Sequence, residues 1–175
     1  MMKIRKGFSI LIMISFLPIT SCGVYSFTGA SIPPGTKTFQ VDYFENVAGN
    51  RPGSIVEPGL DRDFTLALQD LLLNQTNLNL VKGGGDLIYS GQIIEYRVSP
   101  MSATSQNTAS QNRLSIKVSV NYVNVKMEED SFEQTFSFYY DFPADLQVFD
   151  IKDSAHKEIF ERITQDIFNA SLAKW

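Results

Sequence analysis

The stretch Leu114-Ser-Ile-Lys-Val-Ser-Val-Asn-Tyr122 decides the fold class. Leu114, Ile116, Val118, Val120 and Tyr122 alternate strictly with Ser115, Lys117, Ser119 and Asn121. Successive side chains of a strand point to opposite faces, so this pattern predicts a strand with one buried face and one that is wet or otherwise occupied. Downstream, past the acidic turn Glu128-Glu129-Asp130, a further strand places Phe132, Phe136, Phe138, Tyr140 and Phe142 on one face. These aromatics read as core rather than as a lipid-contacting strip.

Upstream, Lys82-Gly-Gly-Gly85 turns the chain into a strand over 87–98, and Thr38 to Phe44 reads as another, with Phe39, Val41 and Tyr43 on one side. The breakers between Asn46 and Gly53 predict a loop. Two segments change to the helical period. Leu60, Phe64, Ala67, Leu68, Leu71 and Leu72 form a stripe ending near Gln75; Ile159, Phe160, Ile163, Ile167 and Phe168 form a second, opened by Ser154 as N-cap and running to Trp175. The order is β-α-β-β-β-α. An α+β fold follows, with two helices packed on one face of a four-stranded mixed β-sheet and the opposite face uncovered. The stretch from Ser99 to Asn112 is almost all small and polar, a loop that is either flexible or held by a partner.

The 175 residues carry a formal charge of −4 and a pI near 5.0, with 43% hydrophobic residues, one Cys and one His. One domain with a real core fits this size; a basic nucleic-acid face, an internal disulfide framework and multi-cysteine or two-histidine metal sites do not. No cofactor and no catalytic site are expected. His156, near Asp153 and Glu158, reads as a solvated residue of a helix first turn, since no nucleophile-elbow pattern surrounds any Ser. Gly83-Gly84-Gly85 precedes a strand and lacks a following Lys-Ser/Thr, so it is not a phosphate loop.

Lys3, Arg5 and Lys6 precede a short apolar run, Phe8 to Leu17, which is too short to span a bilayer and reads as a signal-peptide core. It ends at Ile19-Thr-Ser-Cys22-Gly23, where the only Cys of the chain stands in a sequence that resembles a bacterial lipobox. That resemblance implies cleavage before Cys22, diacylglycerol on its sulfur and an acyl chain such as palmitate on the new N-terminus; several chains make a stable anchor. The expected organisation is a signal peptide over 1–21, a lipidated tether over 22–36 and one domain over 37–175. Without the three signal-peptide cations, 12 basic residues face 19 acidic ones, a formal charge of −7. No Asp follows Cys22, and by the sorting preference of enterobacterial lipoproteins the resemblance implies attachment to the outer membrane, facing the periplasm.

One polar constellation stands out. If Tyr96 and Leu114 share the buried face, Arg97, Arg113 and Lys117 share the other, at the loop end of the hairpin. Such a cluster suits phosphates of an anionic glycolipid, carboxylates of a partner, or simple pairing with Glu95.

Four blocks carry a wider resemblance: Cys22-Gly-Val-Tyr-Ser-Phe-Thr-Gly-Ala-Ser31, Lys37-Thr-Phe-Gln-Val-Asp-Tyr-Phe-Glu-Asn46, Gly85-Asp-Leu-Ile-Tyr-Ser-Gly91 and Asp166-Ile-Phe-Asn-Ala-Ser-Leu-Ala-Lys-Trp175. Together they resemble the LptE family in its Bacteroidetes form. The resemblance implies a non-enzymatic outer-membrane lipoprotein with two helices against a four-stranded sheet. Its implied partner is the LptD β-barrel, whose lumen it plugs and whose assembly it assists, with lipopolysaccharide as a second ligand. The competing expectation is a stand-alone periplasmic lipoprotein that carries a lipid or ligand between its aromatic faces.

Overall fold

A computed structural model describes residues 31–101 and 110–173. The signal peptide, Cys22 and the middle of the polar loop lie outside these residues. Six strands and two α-helices are described, besides two single-turn 3-10 helices: β1 (Thr38–Val41), β2 (Glu45–Asn46), α1 (Leu60–Gln75), β3 (Asn79–Leu80), β4 (Leu87–Met101), β5 (Gln111–Asn124), β6 (Phe132–Pro143) and α2 (Val148–Leu172). The sheet runs β3-β1-β4-β5-β6, and β2 continues the line of β1 along β4. β1, β2 and β3 pair in parallel; β4, β5 and β6 form an antiparallel meander. The expected α+β fold is therefore present, with two short strands added to the four.

The alternation of β5 sets the two faces. Leu114, Ile116, Val118 and Val120 are fully buried and share one core with the apolar stripes of both helices, Phe64, Leu68 and Leu72 of α1 and Ile159, Ile163 and Ile167 of α2. Phe136 and Phe142 of β6 are buried and Phe132, Phe138 and Tyr140 pack against the core. The aromatic face of β6 is thus core. Edge-on contacts from Phe44 to Phe64 (5.2 Å) and from Phe64 to Phe160 (5.4 Å) join the first strand segment to both helices.

Two irregularities reset the faces. Between Val41 and Glu45 the chain uses three residues where β4 uses two, because Val41 pairs with Tyr89 and Glu45 with Gln92. The parity slips, so Phe44 turns into the core and Tyr43, expected there, is 61% exposed. The Phe44 ring lies over Gly91: a Cβ at that position would stand 2.7 Å from Phe44 Cε1 and fall on the Ser119 carbonyl oxygen. In β4 the register shifts between Ile93 and Glu95, leaving Ile94 as an extra residue. Before it Leu87, Tyr89 and Ile93 face the core; after it Tyr96 does.

The polar loop is shorter than the composition suggests, because Ser99, Pro100 and Met101 pair with Arg113, Asn112 and Gln111. The last helix starts earlier than Ser154. The Asp150 carboxylate accepts the Gln147 backbone N–H at 2.9 Å, which closes the first turn there, and Ser154 instead donates its hydroxyl to the Ile151 carbonyl within the helix. At the opposite end of the sheet, Asp86 accepts the backbone N–H groups of Lys37 (2.8 Å) and Thr38 (3.1 Å) and pairs with Lys126 at 3.2 Å. These donors, the Lys37 N–H first, hold its carboxyl far below the usual range.

Replacing Gly91 with Ala forces either Phe44 or the β4–β5 ladder to move. The expected cost is about 1–3 kcal/mol, the range for overpacking a core, read as a lowered urea midpoint at unchanged slope.

Candidate functional site: the polar sheet face

The face opposite the helices is built from the alternate residues of the meander. Register places Arg97, Ser115 and Tyr139 in one cross-strand row, Glu95, Lys117 and Ser137 in the next, and Ser99, Arg113 and Asp141 in the row nearest the hairpin loop. Arg97, Arg113 and Lys117 therefore share one face, because the extra residue at Ile94 carries Tyr96 into the core and turns Glu95 and Arg97 outward.

Each cation has a protein partner. Arg113 donates from Nε and Nη2 to the two carboxylate oxygens of Asp141, at 2.7 and 2.8 Å, and its guanidinium lies 3.5 Å from the centre of the Tyr139 ring. This bidentate fork with a stacked face is the strong form of an Arg–carboxylate pair. Lys117 Nζ lies 3.2 Å from Glu95 Oε1, and Arg97 Nη2 lies 3.5 Å from Glu95 Oε2. Arg97 also donates to the Pro52 carbonyl at 3.1 Å, which ties the loop after β2 to the edge of β4. Its Nε, among the described side chains, is buried without a hydrogen-bond partner. The pairing with Glu95 is thus present, and the cluster carries three positive charges against two negative ones. Glu95 is only 6% exposed, while the side chains of Arg97 and Lys117 remain near 40% exposed. Both side chains are held against a carboxylate that is itself buried.

Tyr139 belongs to this face and escapes a reading that follows only the even-numbered aromatics of β6. Its signal in the sequence is the doublet Tyr139-Tyr140, which must send one ring to each side of a strand. Apart from this face, at the start of α2, Phe149 is 79% exposed, with Lys152 Nζ 5.4 Å from its ring and 3.1 Å from Glu57.

His156 departs from the expected solvated position. With α2 starting at Val148, His156 lies two turns into the helix, and its Nε2 is 3.1 Å from the Tyr96 hydroxyl while its ring stacks on Phe160. Burial lowers its pKa below the ordinary 6.5. It braces core to sheet and touches none of the three cations. Between α1 and α2 a groove of about 590 Å³ opens to solvent, walled by Ala67, Leu71, Phe160 and Thr164 and flanked by Asp70, Lys157 and Glu161. Among the described residues there is no cluster of three metal-ligating side chains, and no helix is long and apolar enough to cross a membrane.

Fold and face together define an α+β domain whose distinctive surface is one polar sheet face fed by paired cations. The chain belongs to the LptE lipopolysaccharide-assembly family, whose profile matches residues 36–171. No curated protein matches the sequence. Among solved structures, the hypothetical protein CT253 from Chlamydia trachomatis is 11% identical with a TM-score of 0.53, covering 79% of this chain and 99% of that one, and shares the fold. A minor lipoprotein from Acinetobacter baumannii (12% identical, TM-score 0.47, 80% and 98% covered) and the rare lipoprotein B from Shewanella oneidensis (13%, 0.43, 75% and 89%) are more remote.

As pH falls from 7 to 5 the unfolded chain takes up the His156 proton before the folded one does, so folding stability should fall across that window. His156→Gln removes this contribution: thermal melts should show a shallower pH dependence than wild type between pH 7 and 5, and identical slopes would contradict the placement of His156.

Proposed function

We propose that this protein is an outer-membrane lipoprotein, anchored through Cys22, that plugs and helps assemble an LptD-type β-barrel in lipopolysaccharide transport. The family match over residues 36–171 is the observation that carries the reading. A plug in an aqueous lumen works by shape and by complementary polar surface, and the broad polar face of β4, β5 and β6 supports that use. The role is non-enzymatic and needs no cofactor. Nucleic acid is not a partner. Arg97, Arg113 and Lys117 are the proposed contacts for lipopolysaccharide or for carboxylates of the barrel. Because the side chains of the mature chain sum to −7, an anionic glycolipid would be held by this local cluster against the overall field.

The alternative of a stand-alone carrier would use the aromatic faces as a pocket. Those of β6 are taken up by the core, which favours the plug.

Affinity purification from membranes should recover a stoichiometric complex with the barrel; recovery only as a monomer with co-purified lipid would favour the carrier. Arg113→Glu combined with Lys117→Glu should weaken lipopolysaccharide binding about tenfold or more, as expected when two charge-assisted contacts turn repulsive, in a variant whose melting curve confirms that it folds. Unchanged binding removes the cluster from the site. Cys22→Ala should leave the protein unlipidated and released from membranes.

A further inference from the structure

The outer side of α1 carries a second apolar row that the core does not use. Leu66 and Leu73 are 48% and 44% exposed, and they stand one turn to either side of Gln69. Gln69 lines a cleft of about 370 Å³ together with Tyr43 and Leu80, both exposed, and with Asp42 and Lys82. Tyr43 is turned out by the parity slip before Glu45, so the irregularity that seats Phe44 in the core also gives this surface its aromatic ring. Four large apolar side chains thus meet solvent where α1 lies against the β1–β3 side of the sheet. Singly exposed apolar residues are ordinary, but a group of them with a polar rim marks an interaction surface.

The rim decides what can lie there. Asp61 in the first turn of α1 stands beside the Tyr43 hydroxyl, whose pKa is raised chiefly by hydrogen bonding to that carboxylate. Asp70 lies between Leu66 and Leu73 along the helix, four residues after the first and three before the second. Arg62 is taken by Asp63 at 2.8 Å, whereas among the described residues Asp42, Asp61 and Asp70 enter no ion pair. Against these three carboxylates stands Lys82 alone. A second copy docked on the same face would bring like charges together, and an anionic lipid surface would be repelled. A protein surface with Lys or Arg around an apolar centre is complementary to both the leucines and the rim. We propose that the α1 side is the face that docks on the inner wall of the barrel, on a strip of that composition, and so sets the rotation of the plug about the barrel axis. This rests on the barrel reading above and adds to it which side meets a basic wall. The cation-bearing face of β4, β5 and β6 then points elsewhere in the lumen, because it lies across the sheet from the helices.

The test uses the full chain co-expressed with the barrel and recovered from membranes through an affinity tag on the barrel. A photoreactive p-benzoylphenylalanine incorporated at position 66 or 73 should crosslink to the barrel, in peptides that contain Lys or Arg. Asp61→Lys combined with Asp70→Lys should lower the recovered complex about tenfold or more, as expected when like charges meet across a docked surface, in a variant whose melting curve matches wild type. If that variant does not fold, the crosslinks at the two exposed leucine positions decide. A complex recovered without a crosslink from either position overturns the docking face and leaves the barrel reading standing. Crosslinks only between two copies of the chain, or only to lipid, overturn it as well. Failure of the unaltered chain to form any complex overturns both readings.

Discussion

The antiparallel ladder between β4 and β5 is the constraint on which the rest of the domain depends. It fixes which residues of both strands face the helices, and through Gly91 it also seats Phe44, which links the parallel half of the sheet to α1. A strand has period two, so one extra residue exchanges its faces completely. Ile94 is that residue in β4. It lets an apolar stretch, Leu87 to Ile93, and a charged one, Glu95 to Arg97, belong to a single strand without placing a charge in the core.

The electrostatic design follows from the same ladder. Glu95 is nearly buried on the outer face, and an isolated carboxylate there would be costly. Its two neighbours across and along the strands, Lys117 and Arg97, compensate it, while Arg113 is held by Asp141 and Tyr139. The cluster is therefore part of the architecture as well as a candidate surface. Its cations are fixed in place, and one positive charge remains in excess on a chain that is otherwise acidic.

Much of this was legible from the residues. Strict alternation over 114–122 and the two helical stripes specify layers directly, because burial selects one face of a strand and one stripe of a helix. The co-facial placement of Arg97, Arg113 and Lys117 was also legible, given only that Tyr96 and Leu114 are both buried. What escaped was whatever depends on a single inserted residue or a tertiary neighbour. Tyr43 alternates as well as Phe44 in a linear reading, and only the offset against β4 turns Phe44 inward. Ser154 is as good a cap by residue type as Gln147, but Asp150 closes the turn at Gln147. His156 looked solvated by proximity to Asp153 and Glu158, and its position two turns into α2 brings it under Tyr96 instead.

The sequence by itself determined the α+β class, the order of the long elements, the lipobox-like position of Cys22 and the family blocks, since these rest on local periodicity and on residue identity. Only the tertiary structure decided the two parity changes, the pairing of every cation in the cluster and the half-burial of His156. Those depend on which strand lies beside which and in what register, and a register is a property of two segments that neither one encodes alone.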